Sequence, residues 1–588
     1  GKLVTTGIQN TIVGGLAGDA LVAGSYNQAF GYTALGSETG ASRSTAIGYF
    51  ALALQNVGSG EANNVAIGHA TGASITSGTE NTLIGGLAGD ALDTGNNNTA
   101  LGYNALGQET KGDRNVAVGA HALVTQNNTS NVDSYNTGVG YAAGTAMTTG
   151  IQNTLIGGLA GDALTTGSNN IAIGVLALSA EDTGGKSIAV GMQALAAQNY
   201  DGDAYNVAVG HQAGLAVTTG IQNTVVGGRA LQANTVGLGN VALGYQAMYT
   251  NVDGSKCVAI GTNALLAQEP ASALDMYNVA IGYNAGAAVT TGTENTIIGG
   301  LAGDALTTGV RNTAVGYLAL STEDAHSYNT AIGTYSLLAL NAGANGYNTA
   351  VGYNTGQAMT TGTENTIMGG LAGDALTTGA RNVAIGYHAL GGEDAHGKNV
   401  AIGYQALKAQ DAGADAYNVA IGYSAGENIS TGVQNVLMGG KAGDALTTGS
   451  GSIAIGYEAL STEDTGGRNT AIGFGALKTA NYDGNAYNIA VGFGAGTAVT
   501  TGQANVLMGG LAGYNLTTGH YNVAIGMQAL ENEDANGRNV AIGQEALQTL
   551  NAGADGYNVA VGFQAGHLMT TGTKNTLIGA TTGDALTT

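Results

Sequence analysis

Carboxylates recur in this chain at spacings that could gather a hard cation. A Glu-Asp pair stands at Glu181-Asp182 and returns at Glu323-Asp324, Glu393-Asp394, Glu463-Asp464 and Glu533-Asp534. A loop further along adds Asp201 and Asp203 to the first of these, Asp411 and Asp415 to the third, and Asp483 to the fourth. If the two loops lie side by side, hard oxygen ligands converge as calcium prefers. The candidate calcium ligands are therefore Glu181, Asp182, Asp201 and Asp203 in one place and Glu393, Asp394, Asp411 and Asp415 in another. The competing reading is a solvated acidic ridge, and no other cofactor is indicated.

Nothing else in the sequence reads as catalytic. His326 and His396 recur in Glu-Asp-Ala-His, but a full repeat cycle separates them, or roughly 19 Å at ~4.8 Å per rung. That spacing brings no nucleophile, second His or carboxylate pair to a common cleft. The phrase Gly-Gly-Leu-Ala-Gly-Asp at 299-304 lacks the Lys-Ser/Thr of a phosphate loop and the successive Asp of a calcium nonapeptide. Asp304 is replaced by Gln232 and Tyr514 in two other cycles, unlike a required ligand. The expectation is a protein that is not an enzyme.

The elements that carry these residues are set by a repeat. Asn10 opens the pentad Asn-Thr-Ile-Val-Gly, and thirty-three such phrases follow one another at 17, 17, 19 to 21 and 17 residues in rotation. The cycle is about 70 residues and restarts at Asn10, Asn81, Asn153, Asn223, Asn295, Asn365, Asn435, Asn505 and Asn575. Self-similarity at this scale signals a solenoid. The predicted fold is all-β and fibrous: a parallel β-solenoid, or β-roll, of about 33 rungs with 17-21 residues each, as one continuous array over 1-588 with no separate globular domain.

Residue types fit that architecture. One Pro, no Trp and 102 Gly cannot furnish several ordinary cores, whereas 44% hydrophobic residues, mostly small aliphatics, suit a thin dry core. Pro270 falls in the variable loop of a third rung, where a missing amide donor does no harm. Every pentad ends in Gly, as in Gly299, Gly316, Gly333 and Gly352, which is expected where the backbone turns with positive φ or passes close to a neighbour. Asn opens most pentads, for example Asn295, Asn312, Asn329, Asn348 and Asn365, with Ser44, Ser187, Ser452 and Cys257 in the remaining slots. Stacked at one corner, these side chains are expected to form a hydrogen-bonded ladder that satisfies turn amides, the alternative being that each Asn caps its own local turn. Cys257 has no partner in the chain and reads as packing.

The remaining rung residues predict two or three short strands separated by turns. Apolar residues at consecutive strand positions imply burial on both faces, so lateral association with copies of the same chain is expected. The 27 tyrosines cluster as Gly-Tyr and Tyr-Asn, for example Tyr317, Tyr328, Tyr347 and Tyr353, and could stack on sugars or pack over the neighbouring rung. Thr360-Thr361 and Thr377-Thr378 form a ridge that the next two rungs interrupt, which disfavours an ice-binding array.

The pentad Asn-Val-Ala-Ile-Gly, at 64-68, 278-282, 382-386, 399-403, 418-422, 522-526 and 539-543, resembles the head repeat of trimeric autotransporter adhesins and similar repeats in bacteriophage fibres. The resemblance implies three chains wound about one axis and attachment to a surface. This chain departs from the adhesin pattern in its four-rung cycle, and residues 1-588 show no neck, coiled-coil stalk or membrane anchor. It begins and ends in mid-repeat and reads as a segment of something longer.

Charge narrows the partners. With 39 acidic against 16 basic residues and a net charge of −23, no basic cluster exists to neutralise a phosphate backbone, so nucleic acid is excluded. No apolar stretch is long enough to insert into a bilayer. The expected role is a homotrimeric, or otherwise homo-oligomeric, extracellular fibre shaft at a cell surface or on a virion. It acts as a rigid spacer, about 160 Å long at ~4.8 Å per rung, whose repeated loop contacts attach to a surface or glycan receptor by avidity. The alternatives are a bacteriophage tail or capsid fibre for host recognition and a self-assembling cell-surface or matrix filament.

Overall fold

A computed structural model describes residues 2-588. It resolves two compact units, Gly1–Glu294 and Asn295–Thr588. Each is a parallel β-solenoid, with sixteen rung strands in the first and seventeen in the second, so about 33 turns are present as expected. Among the described residues there is no helix, and hence none long and apolar enough to cross a membrane.

Every rung contributes one strand of three residues, the three that follow the Asn slot. In the second unit Thr313–Val315 pairs in parallel with Thr330–Ile332, and that strand with Thr349–Val351, with Thr over Thr, Ala over Ala and the aliphatic residues aligned. The longer third rungs leave this register untouched, because their extra residues are spent in a loop before the next Asn. In two cycles of the first unit that loop adds a two-residue pairing, Gly112–Asp113 with Val132–Asp133 and Gly254–Ser255 with Leu274–Asp275.

The expectation of two or three strands per rung is thus corrected to one. The reason lies in the backbone. Past each strand, residues with φ near +55° recur, as at Asn104 and Leu106, and another stands just before the next Asn, as at Arg114. A chain that alternates right- and left-handed residues curls into successive turns and cannot extend into a strand. The pentad glycine begins this curl. Gly299 has φ of 137°, and a Cβ placed there would lie 2.4 Å from the carbonyl oxygen of Gly316 in the next rung. Glycine is therefore required both for its conformation and for the close stacking of rungs.

The core is one layer of side chains, and its volume explains why the cycle has four rungs. In a first rung, Leu155 fills the strand centre, Gly161 occupies the left-handed position beyond it, and Leu164 completes the layer. A Cβ on Gly161 would come within 2.8 Å of both leucines. In the second rung the assignment reverses: Ala172 at the strand centre leaves room for Leu178 at the left-handed position, and Glu181 takes the place of Leu164. Third rungs follow the second, with Leu195 and Gln198, and fourth rungs return to Gly, with Gly214 and Val217. Two glycine rungs thus alternate with two leucine rungs, and large and small residues interdigitate at interior density. The one first rung that departs does so in compensation: Val225 at the strand centre accompanies Leu231 where the others have Gly.

The outer face of the sheet is less enclosed than the core face. Only the central strand residue is fully buried; the third residue is half-buried in most strands and more exposed in others, reaching 37% for Ile332, 39% for Met368 and 41% for Met508. Beside it run exposed aromatics, stacked in places, such as Tyr387, Tyr404 and Tyr423 with ring centroids 5.5 and 5.2 Å apart. In a single chain, then, the second face of the strands is open.

Candidate functional site

The corner occupied by the Asn slot carries a continuous polar ladder. Successive asparagines are hydrogen-bonded: the Asn312 amide donates to Asn295 Oδ1 at 2.9 Å, Asn329 to Asn312 at 2.9 Å, Asn348 to Asn329 at 3.3 Å and Asn365 to Asn348 at 3.0 Å. Many Nδ2 groups also reach the next turn, as Asn295 does to the Gly309 carbonyl at 2.9 Å, whereas those of Asn399, Asn469 and Asn539 in third rungs are buried without a partner. These side chains lie in the interior and leave the corner amides satisfied. Where Ser or Cys replaces Asn in a third rung, a glutamine of the same rung fills the gap. Gln55 donates to Ser44 Oγ at 2.9 Å, Gln198 to Ser187 Oγ at 2.8 Å, and Gln268 to Cys257 Sγ at 3.3 Å. Burial raises the Cys257 thiol above its ordinary pKa, consistent with an inert packing residue.

Next to this ladder lies a row of carboxylates that the sequence did not reveal as buried. Glu38, Glu109, Glu181, Glu323, Glu393, Glu463 and Glu533 are all fully enclosed, one in each complete cycle except that of Asn223, where Asn251 takes the slot, at the core position where glycine rungs carry Leu, Ile, Val or Met. The first glutamates are caged by donors. Glu109 Oε1 accepts from the amides of Thr110 (2.9 Å), Lys111 (3.0 Å), Gly112 (2.8 Å) and Asn128 (3.1 Å), and Oε2 from Gln126 Nε2 (3.0 Å) and Asn128 Nδ2 (3.1 Å). Glu181 accepts from the Gly184 amide at 2.8 Å and from Gln198 at 2.9 Å. These carboxylates cap their own turn and the one above it.

Further along, the cage thins. Leu340, Ala480 and Leu550 stand where Gln126 and Gln198 stood. Gln410 is retained, but its Nε2 donates to the Ser430 carbonyl at 3.2 Å. Glu393 keeps the amide of His396 at 3.0 Å, while its Oε2 is buried with no hydrogen-bond partner, as is Oε2 of Glu533. Desolvation pushes the pKa of Glu181, Glu393, Glu463 and Glu533 upward; at Glu393 the neighbouring charges of Asp411 and Asp394 push in the same direction.

The sequence-predicted ligands separate into two groups. Around Glu181 they do not gather: Asp182 Oδ1 accepts from the Thr183 amide at 2.7 Å, Asp201 accepts from Thr183 Oγ1 at 3.2 Å, and Asp203 pairs with Lys186 at 2.7 Å. Around Glu393 three of the four meet. Glu393, Asp394 and Asp411 each bring a carboxylate oxygen, and His396 a ring nitrogen, to within 4.8 Å of one another. Asp415 is drawn away by Lys398 at 2.6 Å, which holds its carboxyl below the usual range.

That ion pair belongs to a recurring exposed trio that the sequence reading missed. Lys186, Asp203 and Tyr205, Lys256, Asp275 and Tyr277, and Lys398, Asp415 and Tyr417 repeat the same arrangement, with the ammonium 5.2, 5.3 and 4.9 Å from the ring centre. The available signal was the basic residue just before the third-rung Asn slot, one rung below an Asp-x-Tyr.

No family model matches the chain, and no curated protein matches it either.

Proposed function

We propose that the chain is a non-enzymatic shaft segment of an extracellular fibre, self-associating as a homotrimer along the open face of its sheet and acting as a spacer with repeated weak surface contacts. The observation that carries this reading is the in-register ladder of strands and asparagines within each unit. Each rung bonds to its immediate neighbours, so the structure propagates in one dimension and is stiff along it. The recurrent part-exposed aliphatic residues on this face, such as Ile332, Met368, Met438 and Met508, support lateral association, because repeated apolar exposure on one face marks an interaction surface. The acidic surface keeps assembled fibres apart and soluble.

Sedimentation velocity and negative-stain microscopy of the purified chain test the proposal together. Rods of fixed length with the mass of three chains are expected, and Ile332→Lys with Met368→Lys is expected to return them to monomers. Compact particles would overturn the shaft, a monomer with an intact fold the trimer, and end-to-end polymers would point to a filament instead.

A further inference from the structure

The Glu393 corner carries chemistry beyond a spacer. Two sequences in the chain read Glu-Asp-Ala-His, and they fold almost alike but resolve their imidazoles differently. His326 Nδ1 lies 2.8 Å from Glu323 Oε1, a hydrogen bond, and Glu323 Oε2 accepts the Ala342 amide at 3.2 Å. His396 Nδ1 lies 3.5 Å from Glu393 Oε1, and it and Glu393 Oε2 are both buried without a hydrogen-bond partner. A fully enclosed carboxylate oxygen and a ring nitrogen left bare side by side are costly unless something binds them.

A third difference lies one rung on. Asp411 occupies a position held by Asn199, Asn341, Asn481 and Asn551 in other cycles, and it joins the cluster with Asp394. We propose that Glu393, His396, Asp411 and Asp394 form a binding site for a divalent transition-metal ion of the zinc type. The 3.5 Å between the His396 nitrogen and the Glu393 oxygen matches the roughly 3.3 Å edge between adjacent ligands of a tetrahedral ion with bonds of about 2.0–2.1 Å. One imidazole among the oxygens favours zinc over calcium, which takes oxygen ligands alone. Three carboxylates supply the charge to hold a dication, with Asp394 and Asp411 exposed at the rim.

The chain supplies its own control substitutions. His396→Asn reproduces Asn536, and Asp411→Asn reproduces the asparagines of the other cycles, so both are compatible with the rung. Titration calorimetry of the untagged full-length chain with zinc chloride is expected to show one equivalent bound per chain. Either substitution should weaken that binding at least tenfold while leaving the metal-free melting temperature unchanged, and calcium chloride should bind at least tenfold more weakly than zinc. Absence of saturable zinc binding, or binding that His396→Asn leaves intact, would overturn the site; equal affinity for calcium would overturn its assignment to a transition metal.

Discussion

Glu109 in the first unit and Glu533 in the second occupy the same core position, yet one is held by six donors and the other leaves an oxygen bare. The strand register, the Asn ladder and the leucine that precedes each carboxylate by three residues are unchanged between them. What differs is the next rung: Gln126 answers Glu109, whereas Leu550 faces Glu533. The scaffold therefore tolerates either a complete polar cage or a partial one, because rung stacking does not depend on it. Where the cage is partial, the carboxylate is available for other chemistry, and in the Glu393 cycle His396 and Asp411 stand beside it.

The comparison can be broken most forcefully by exchanging both carboxylates for leucine. Glu109→Leu removes the acceptor from four buried or half-buried amides and is expected to cost about 3 kcal/mol or more, seen as lost hydrogen-exchange protection at Thr110 to Gly112. Glu533→Leu, beside Leu550, frees fewer donors, the amide and Nδ2 of Asn536, and is expected to cost less in the same measurement. Equal losses at the two positions would show that the cages do not differ in worth.

A smaller effect comes from the alternation of core volumes. Gly161→Ala drives a methyl into Leu155 and Leu164 and is expected to cost about 1–3 kcal/mol in chemical denaturation. Adding Leu155→Ala should recover part of that loss, since Ala172 with Leu178 is the same exchange made one rung later.

Next in size is the pH response. Glu181, Glu393, Glu463 and Glu533 have folded pKa values above the ordinary 4.5, so protonation favours the folded state. Their contribution is complete below the unfolded value and is lost as pH rises through the folded one. Thermal stability should therefore increase as the solution is brought from neutrality toward pH 4.5, and Glu-to-Gln substitution at all four should flatten that rise. At lower pH the opposite sign takes over, because Asp275 and Asp415, whose carboxyls are held down by lysines, lose their ion pairs.

The smallest change should follow Lys186→Ala. Its ion pair with Asp203 is exposed, so the expected loss of stability is slight and should vanish in high salt.

Much of the fold was legible because a fixed period forces identical residues into identical environments. The pentad spacing gave the rungs, the invariant glycine their close approach, and the asparagines their ladder. The strand number per rung was overestimated, since left-handed backbone at Leu106 or Arg114 has no signature in residues that elsewhere are ordinary helix formers. The calcium candidates were chosen by proximity along the chain, which cannot tell that Lys186 and Lys398 claim Asp203 and Asp415.

Sequence alone determined that the chain stacks, since a repeat that recurs at 17 residues has one economical way to bury its small aliphatic residues and pair its amides. Tertiary structure alone decided that the glutamates point inward, because side-chain direction after a left-handed turn depends on dihedral angles that composition does not encode. It also decided which of them is left without a partner, as that depends on whether a glutamine one rung away reaches the carboxylate or, like Gln410, turns to a carbonyl.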